Sequence, residues 1–116
     1  MLTISNNNII TVTRGDSFTL SFCDFVVNTT KPDVTLHAGD SLYFGLMEPN
    51  QPFEFALIRK KFTNDTGKNM TEVSMDFTPE MTEFIMPGKY YYSVKIQRAN
   101  GEVETLVKKT KFYIID

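Results

Sequence analysis

From residue 16 onward, apolar and polar residues trade places with a period of two. This alternation constrains the fold more than any other feature. Successive side chains of a strand point to opposite faces, so the pattern describes strands with one buried and one wetted face, as in antiparallel sheets. In "DSFTLSFCDF" (16–25), Phe18, Leu20 and Phe22 share one face and Thr19 and Ser21 the other. "DSLYFGLM" (40–47) repeats the device with Leu42, Phe44 and Leu46, and "TEVSMDF" (71–77) with Val73, Met75 and Phe77. In "YYYSVKI" (90–96), Tyr90, Tyr92, Val94 and Ile96 face the core, with the tyrosine hydroxyls at its margin and Tyr91 turned outward.

The breaks between these runs carry turn chemistry. "RGD" (14–16) precedes the first strand, "NTTKPD" (28–33) and "HAGD" (37–40) flank a short strand candidate "VTL", and the prolines of "MEPNQP" (47–52) cannot sit inside a strand. "TNDTGKN" (63–69) is a polar loop. Asn100-Gly101 predicts a two-residue type I′ hairpin, with Ile96 facing Thr105 and Val94 facing Val107. Phe112 and Ile114 are then out of phase with Val103 and Val107, so a bulge near "VKKT" is expected. Thr78 as N-cap and Pro79 at the first helical position predict a short helical turn near 78–85, stopped by Pro87-Gly88. The expected fold is all-β: one domain over residues 1–116, an immunoglobulin-like antiparallel β-sandwich of about seven or eight strands. A tyrosine opening a strand after a helical crossover, as Tyr90 does, suits the tyrosine corner of that fold.

Composition narrows the function. The 116 residues are 41% hydrophobic and 22% charged, which suits a packed globule. A net charge of −2 argues against nucleic-acid binding through phosphates, and the lysines of "VKKTK" (107–111) read as guards of an exposed strand edge. No apolar run approaches the roughly 20 residues of a membrane-spanning helix. "MLTISNNNII" lacks the basic and apolar regions of a signal peptide, so synthesis in the cytoplasm is expected, with any role outside the cell reached by another route.

No motif assembles a catalytic centre, and no cofactor is expected. Cys23 is the only cysteine; its neighbours "LSFCDF" favour an inert buried thiol over a nucleophile paired with His37. His37 has no partner at zinc spacing. Asp24, Asp33 and Asp40 would meet at a calcium ion only if their loops converge, and solvated loop ends are the simpler reading. Glu80 and Glu83, three apart on a short helical face, read as solvated rather than as an acid/base pair. "RGD" matches the integrin-binding tripeptide but reads as a tight turn, and the sequons at Asn28, Asn64 and Asn69 read as Asn- and Thr-rich loops.

Several stretches together resemble a known module. These are "TRGDSFTLSF", "HAGDSLYFGL", "VSMDFTPEMT", the series Gly88, Tyr90, Tyr92, Val94, Ile96 with Asn100-Gly101, and the closing "KFYI". They are similar to the immunoglobulin-like N-terminal domain of upper baseplate proteins of phages of Gram-positive bacteria, also found in head fibres and other virion accessories. The resemblance implies a non-enzymatic virion protein, made in the bacterial host cytoplasm, that attaches to other virion proteins of the capsid or of the tail and baseplate. It implies neither nucleic-acid nor membrane partners. In baseplate fibres the module precedes a long fibre, whereas this chain ends at Asp116. The expectation is therefore a small decoration or adaptor protein, multi-copy or homo-oligomeric. Tyr91, Lys108, Lys109 and Lys111 are the candidate contact residues. The alternatives are a small phage-encoded inhibitor of a host enzyme or defence system, and a host-surface carbohydrate-binding module.

Overall fold

A computed structural model describes residues 2–5, 7–23 and 35–116, with Phe22 and Cys23 by backbone alone. Asp24, Asp33, the Asn28 sequon and Val34 of the "VTL" candidate lie outside the described residues. The strands are β1 (Leu2–Ile4), β2 (Ile10–Thr13), β3 (Phe18–Cys23), β4 (Ser41–Met47), β5 (Ile58–Thr63), β6 (Glu72–Phe77), β7 (Gly88–Gln97) and β8 (Val103–Ile115). A 3-10 turn covers Phe53–Phe55, and one short helix, α1, covers Pro79–Glu83. Two sheets form the sandwich: six strands in the order β1-β2-β8-β7-β4-β5, and two in the order β3-β6. The expected all-β sandwich is thus found.

The alternating strands bury most of the expected side chains; Phe18 is half-buried, and the Phe22 side chain lies outside the described residues. Phe44, Phe77 and Phe112 are each about 1% exposed, and Leu42, Leu46, Val94 and Ile96 are fully buried. Aromatic rings hold the centre together. Phe44 lies edge-on to Phe77 at 5.1 Å between centroids, stacks on Tyr92 at 5.7 Å and meets Phe112 at 6.3 Å. Phe18 stacks on Phe77 at 4.7 Å. Such pairs add about 0.5–1.5 kcal/mol each beyond area burial. Tyr90 and Tyr92 face inward as expected, and Tyr91 does not.

The tyrosine corner is present: the Tyr90 hydroxyl donates to the Met86 carbonyl at 2.6 Å, where α1 hands over to β7. The Thr78 backbone has the extended N-cap conformation, and Pro79 opens the helix, but the Thr78 side chain makes no capping bond. The RGD segment is a turn in which Gly15 has φ 81° and Asp16 N–H donates to the Thr13 carbonyl. Its Arg14 pairs with Asp116 at 3.0 Å. Gly15 N–H donates to the hydroxyl of the fully buried Thr82, pinning this turn to α1.

Four expectations need correction. The sandwich is not wholly antiparallel, because β2 runs parallel to β8. The β7–β8 hairpin is closed by a three-residue loop, with Arg98 N–H donating to the Glu102 carbonyl and Gly101 N–H to the Arg98 carbonyl. Gly101 has φ 95° while Asn100 does not enter positive φ. That is a type I turn ending in a left-handed glycine rather than type I′. The extra loop residue shifts the register, so Ile96 faces Glu104 instead of Thr105, while Val94 still faces Val107. The expected irregularity near Val107 is there, but as two register shifts between Tyr92 and Lys95. Two shifts restore the phase, so Leu106, Phe112 and Ile114 all point inward and Val103 is 59% exposed. Finally, β8 is not a simple edge: its Phe112–Ile115 end lies between β7 and β2.

Candidate docking surfaces

Register sets which side chains leave the large sheet on its outer side. Tyr43 of β4 sits between Lys61 of β5 and Lys95 of β7. Gly45 sits between Arg59 and Ser93, Tyr91 opposite Lys111, and Lys89 opposite Tyr113. These rows carry five cations and three tyrosines, and no Asp or Glu among the described residues projects outward from β4, β5, β7 or β8. The cations lie over rings: Lys61 Nζ is 5.4 Å from the Tyr43 centroid and Lys89 Nζ 5.6 Å from that of Tyr91. Phe53 of the 3-10 turn serves two, with Lys95 Nζ at 4.6 Å and the Arg59 guanidinium at 5.9 Å. Its ring approaches Gly45 so closely that a Cβ there would meet it at 2.6 Å. The glycine therefore leaves room for an aromatic ring against the sheet between two cations.

Two of the four candidate contact residues, Tyr91 and Lys111, are thus cross-strand neighbours on one face. Lys108 and Lys109 are exposed within the irregular part of β8, and Lys109 Nζ donates to the Gln51 carbonyl at 2.6 Å. Sequence reasoning missed Arg59, Lys61 and Lys95, because only strand register brings them to Tyr43 and Phe53. The other outer face differs. Thr19 donates to Asp76 at 2.8 Å, Ser21 and Ser74 hydroxyls meet at 3.2 Å, and Glu72 lies beyond them.

At the end where β4 begins and β7 turns into β8, a polar lock closes the sandwich. The Asp40 carboxylate accepts from Arg98 Nη1 at 2.8 Å and from the backbone N–H groups of His37 and Ala99, both at 2.9 Å. Arg98 also donates to the Thr35 carbonyl at 2.6 Å and reaches Glu104 at 3.4 Å. Burial alone would raise the Asp40 pKa. Arg98 and the two backbone donors outweigh it and hold the carboxyl below its ordinary value. Asp40 is therefore not the solvated loop end expected: it is 2% exposed, with its oxygens committed to these donors. Among the described residues no three His, Cys, Asp or Glu side chains group to hold a metal. His37 Nδ1 lies 3.1 Å from Asn69 Oδ1.

Asn64 is fully buried beside this lock. Its amide donates to the Leu36 and Lys68 carbonyls, and its oxygen accepts from the Thr66 N–H and hydroxyl. The sequon at Asn64 is therefore a loop clamp, and a glycan could not reach that amide without unfolding it. Tyr92 is buried midway along the sandwich, with its hydroxyl donating to the Asn8 carbonyl, and burial pushes its phenol up to about 12. Glu80 and Glu83 are both exposed on α1.

At the opposite end the surface is apolar. An open groove of about 430 Å³ runs between the start of β5 and α1, lined by Leu57, Ile58, Arg59, Glu80, Met81, Phe84 and Ile85. Phe84 is 87% exposed, Met86 76% and Phe55 68%. No helix among the described residues is long and apolar enough to cross a membrane.

No family model and no curated protein matches the chain. Among solved structures, the soluble domain of PmoD from Methylocystis sp. is similar over 98% of this chain and 96% of its own, at 14% identity and a TM-score of 0.39. That score is too low to carry any conclusion about fold or function.

Proposed function

We propose that this chain is a non-enzymatic accessory module of a bacteriophage particle, joining one virion protein to another in multiple copies. One observation carries the choice of surface: the outer face of the six-stranded sheet presents Arg59, Lys61, Lys89, Lys95 and Lys111 among Tyr43, Tyr91 and Tyr113, with no outward carboxylate on β4, β5, β7 or β8 among the described residues. The net charge of −2 conceals this segregation. Cations held over rings lose less freedom on docking than free lysines. Aromatic residues are also enriched where protein surfaces meet. Such a face suits an acidic protein surface, and repeated copies add avidity to a modest single contact.

Mass spectrometry and electron microscopy of purified particles, with and without the gene, test the reading. The expected result is the protein in wild-type particles, its loss on deletion, and its release by Lys95→Glu with Lys111→Glu, in a variant that still folds. Wild-type particles that contain none of it, together with lysates showing it bound to a host enzyme, would replace this reading with that of an inhibitor.

A further inference from the structure

We infer that β5 and the groove beside it take up an extended, acidic segment of a partner protein, added to the large sheet as a further strand. Among the described residues β5 pairs only with β4. The far side of Ile58–Thr63 therefore presents backbone donors and acceptors to an incoming strand. The groove lies against the start of this edge, so the added strand would find an apolar seat beside Leu57, Ile58, Phe84 and Ile85. At 87% exposure Phe84 has most of its surface available for burial by such a segment.

Charge selects the occupant. β5 reads Ile58-Arg59-Lys60-Lys61-Phe62-Thr63, with Arg59 and Lys61 on the outward side and Lys60 turned toward the gap between the sheets, its Nζ 5.7 Å from the Phe77 centroid. A second copy pairing antiparallel through the same strand, centred on it, would set Lys60 opposite Lys60 and Arg59 of each chain opposite Lys61 of the other. Like charges directly opposite destabilise a strand pair, whereas carboxylates at those positions would form favourable cross-strand pairs. The same cations therefore oppose self-association and favour an acidic strand. The groove residues Leu57, Phe84 and Ile85 take no part in the cation–aromatic face, so substitutions there separate this surface from the one in the proposed function.

The test uses the full chain, labelled with ¹⁵N, and a blocked synthetic peptide alternating Glu with Val or Phe. Saturable shifts of the Ile58–Thr63 amides with slowed hydrogen exchange there are expected. Binding should weaken by about tenfold or more both with Phe84→Ser and when Lys replaces Glu in the peptide. Phe84 is exposed, so its variant should keep the dispersed spectrum of the native fold. Three outcomes would overturn the assignment. One is no saturable shift. Another is equal binding of the Lys peptide. The third is sedimentation showing that the protein already dimerises through β5.

Discussion

At the end of the sandwich where β4 begins, the buried Asp40 and Asn64 and the half-buried Arg98 tie three chain segments together through hydrogen bonds of 2.6–2.9 Å. At the opposite end, Phe84 and Met86 stand 87% and 76% exposed above a groove, with the Tyr90–Met86 and Gly15–Thr82 bonds as polar ties of the crossover. The polar groups are inside at one end and large apolar groups are outside at the other. Each inverts the usual arrangement, but with different consequences. A buried charge persists only when it is paired and hydrogen-bonded, so the first end is rigidly specified. Exposed apolar surface contributes little to folding and is kept where something else covers it.

The comparison breaks if the polar end proves dispensable. Arg98→Ala leaves a buried, unpaired carboxylate and should cost about 3–5 kcal/mol in urea unfolding. A loss under about 1 kcal/mol would show that the pair does not close that end. The acid dependence sharpens the point. The folded Asp40 pKa is lowered, so the unfolded chain binds the proton more readily. The stability Asp40 contributes is thus present above its ordinary value of 3.8 and is lost as pH falls through the lower folded value. Asp40→Asn should flatten this part of the stability–pH curve.

The hairpin at the same end supplies the next effect. Gly101→Val forces a β-branched residue to φ 95° and should cost about 1–3 kcal/mol by thermal unfolding. A neutral result would mean that the loop relaxes to another turn. At the apolar end, Tyr90→Phe removes the hydroxyl that ties the crossover and should cost about 0.5–1.5 kcal/mol, with faster exchange in the 84–88 segment. The smallest effect belongs to the groove. Phe84→Ser should change stability by no more than about 0.5 kcal/mol, because the ring is already in water. A larger loss would make Phe84 part of the fold rather than of a binding surface.

Two lysine runs show where sequence reasoning reached its limit. "VKKTK" in β8 and "IRKKF" in β5 carry similar charge. The first read as the guarded edge, yet β8 is flanked by β2 over Phe112–Ile115 and is open only over its Val103–Lys111 part among the described residues. The second forms β5, an edge strand of the large sheet at the side away from β1, and its pattern does not announce a strand. Its three consecutive cations mask the alternation of Ile58, Lys60 and Phe62, and Lys60 fills an inward position by laying its chain toward the Phe77 ring. Edge strands need not bury a full face, so their pattern is weak.

Sequence alone determined the strands whose inward positions are all apolar: β3, β4, β6 and β7, with the helical turn between the last two. Their period-two pattern is local, and burial enforces it residue by residue. It also determined Tyr90 and Tyr92 as inward and Tyr91 as outward. Only the tertiary structure decided the parallel β2–β8 pair, the Asp40–Arg98 lock across 58 residues of chain, and the gathering of Arg59, Lys61, Lys95 and Lys111 on one face. These depend on which strands become neighbours and in what register. That choice is made by the packing of the whole core, where a shift of one residue sends every side chain of a strand to the other face.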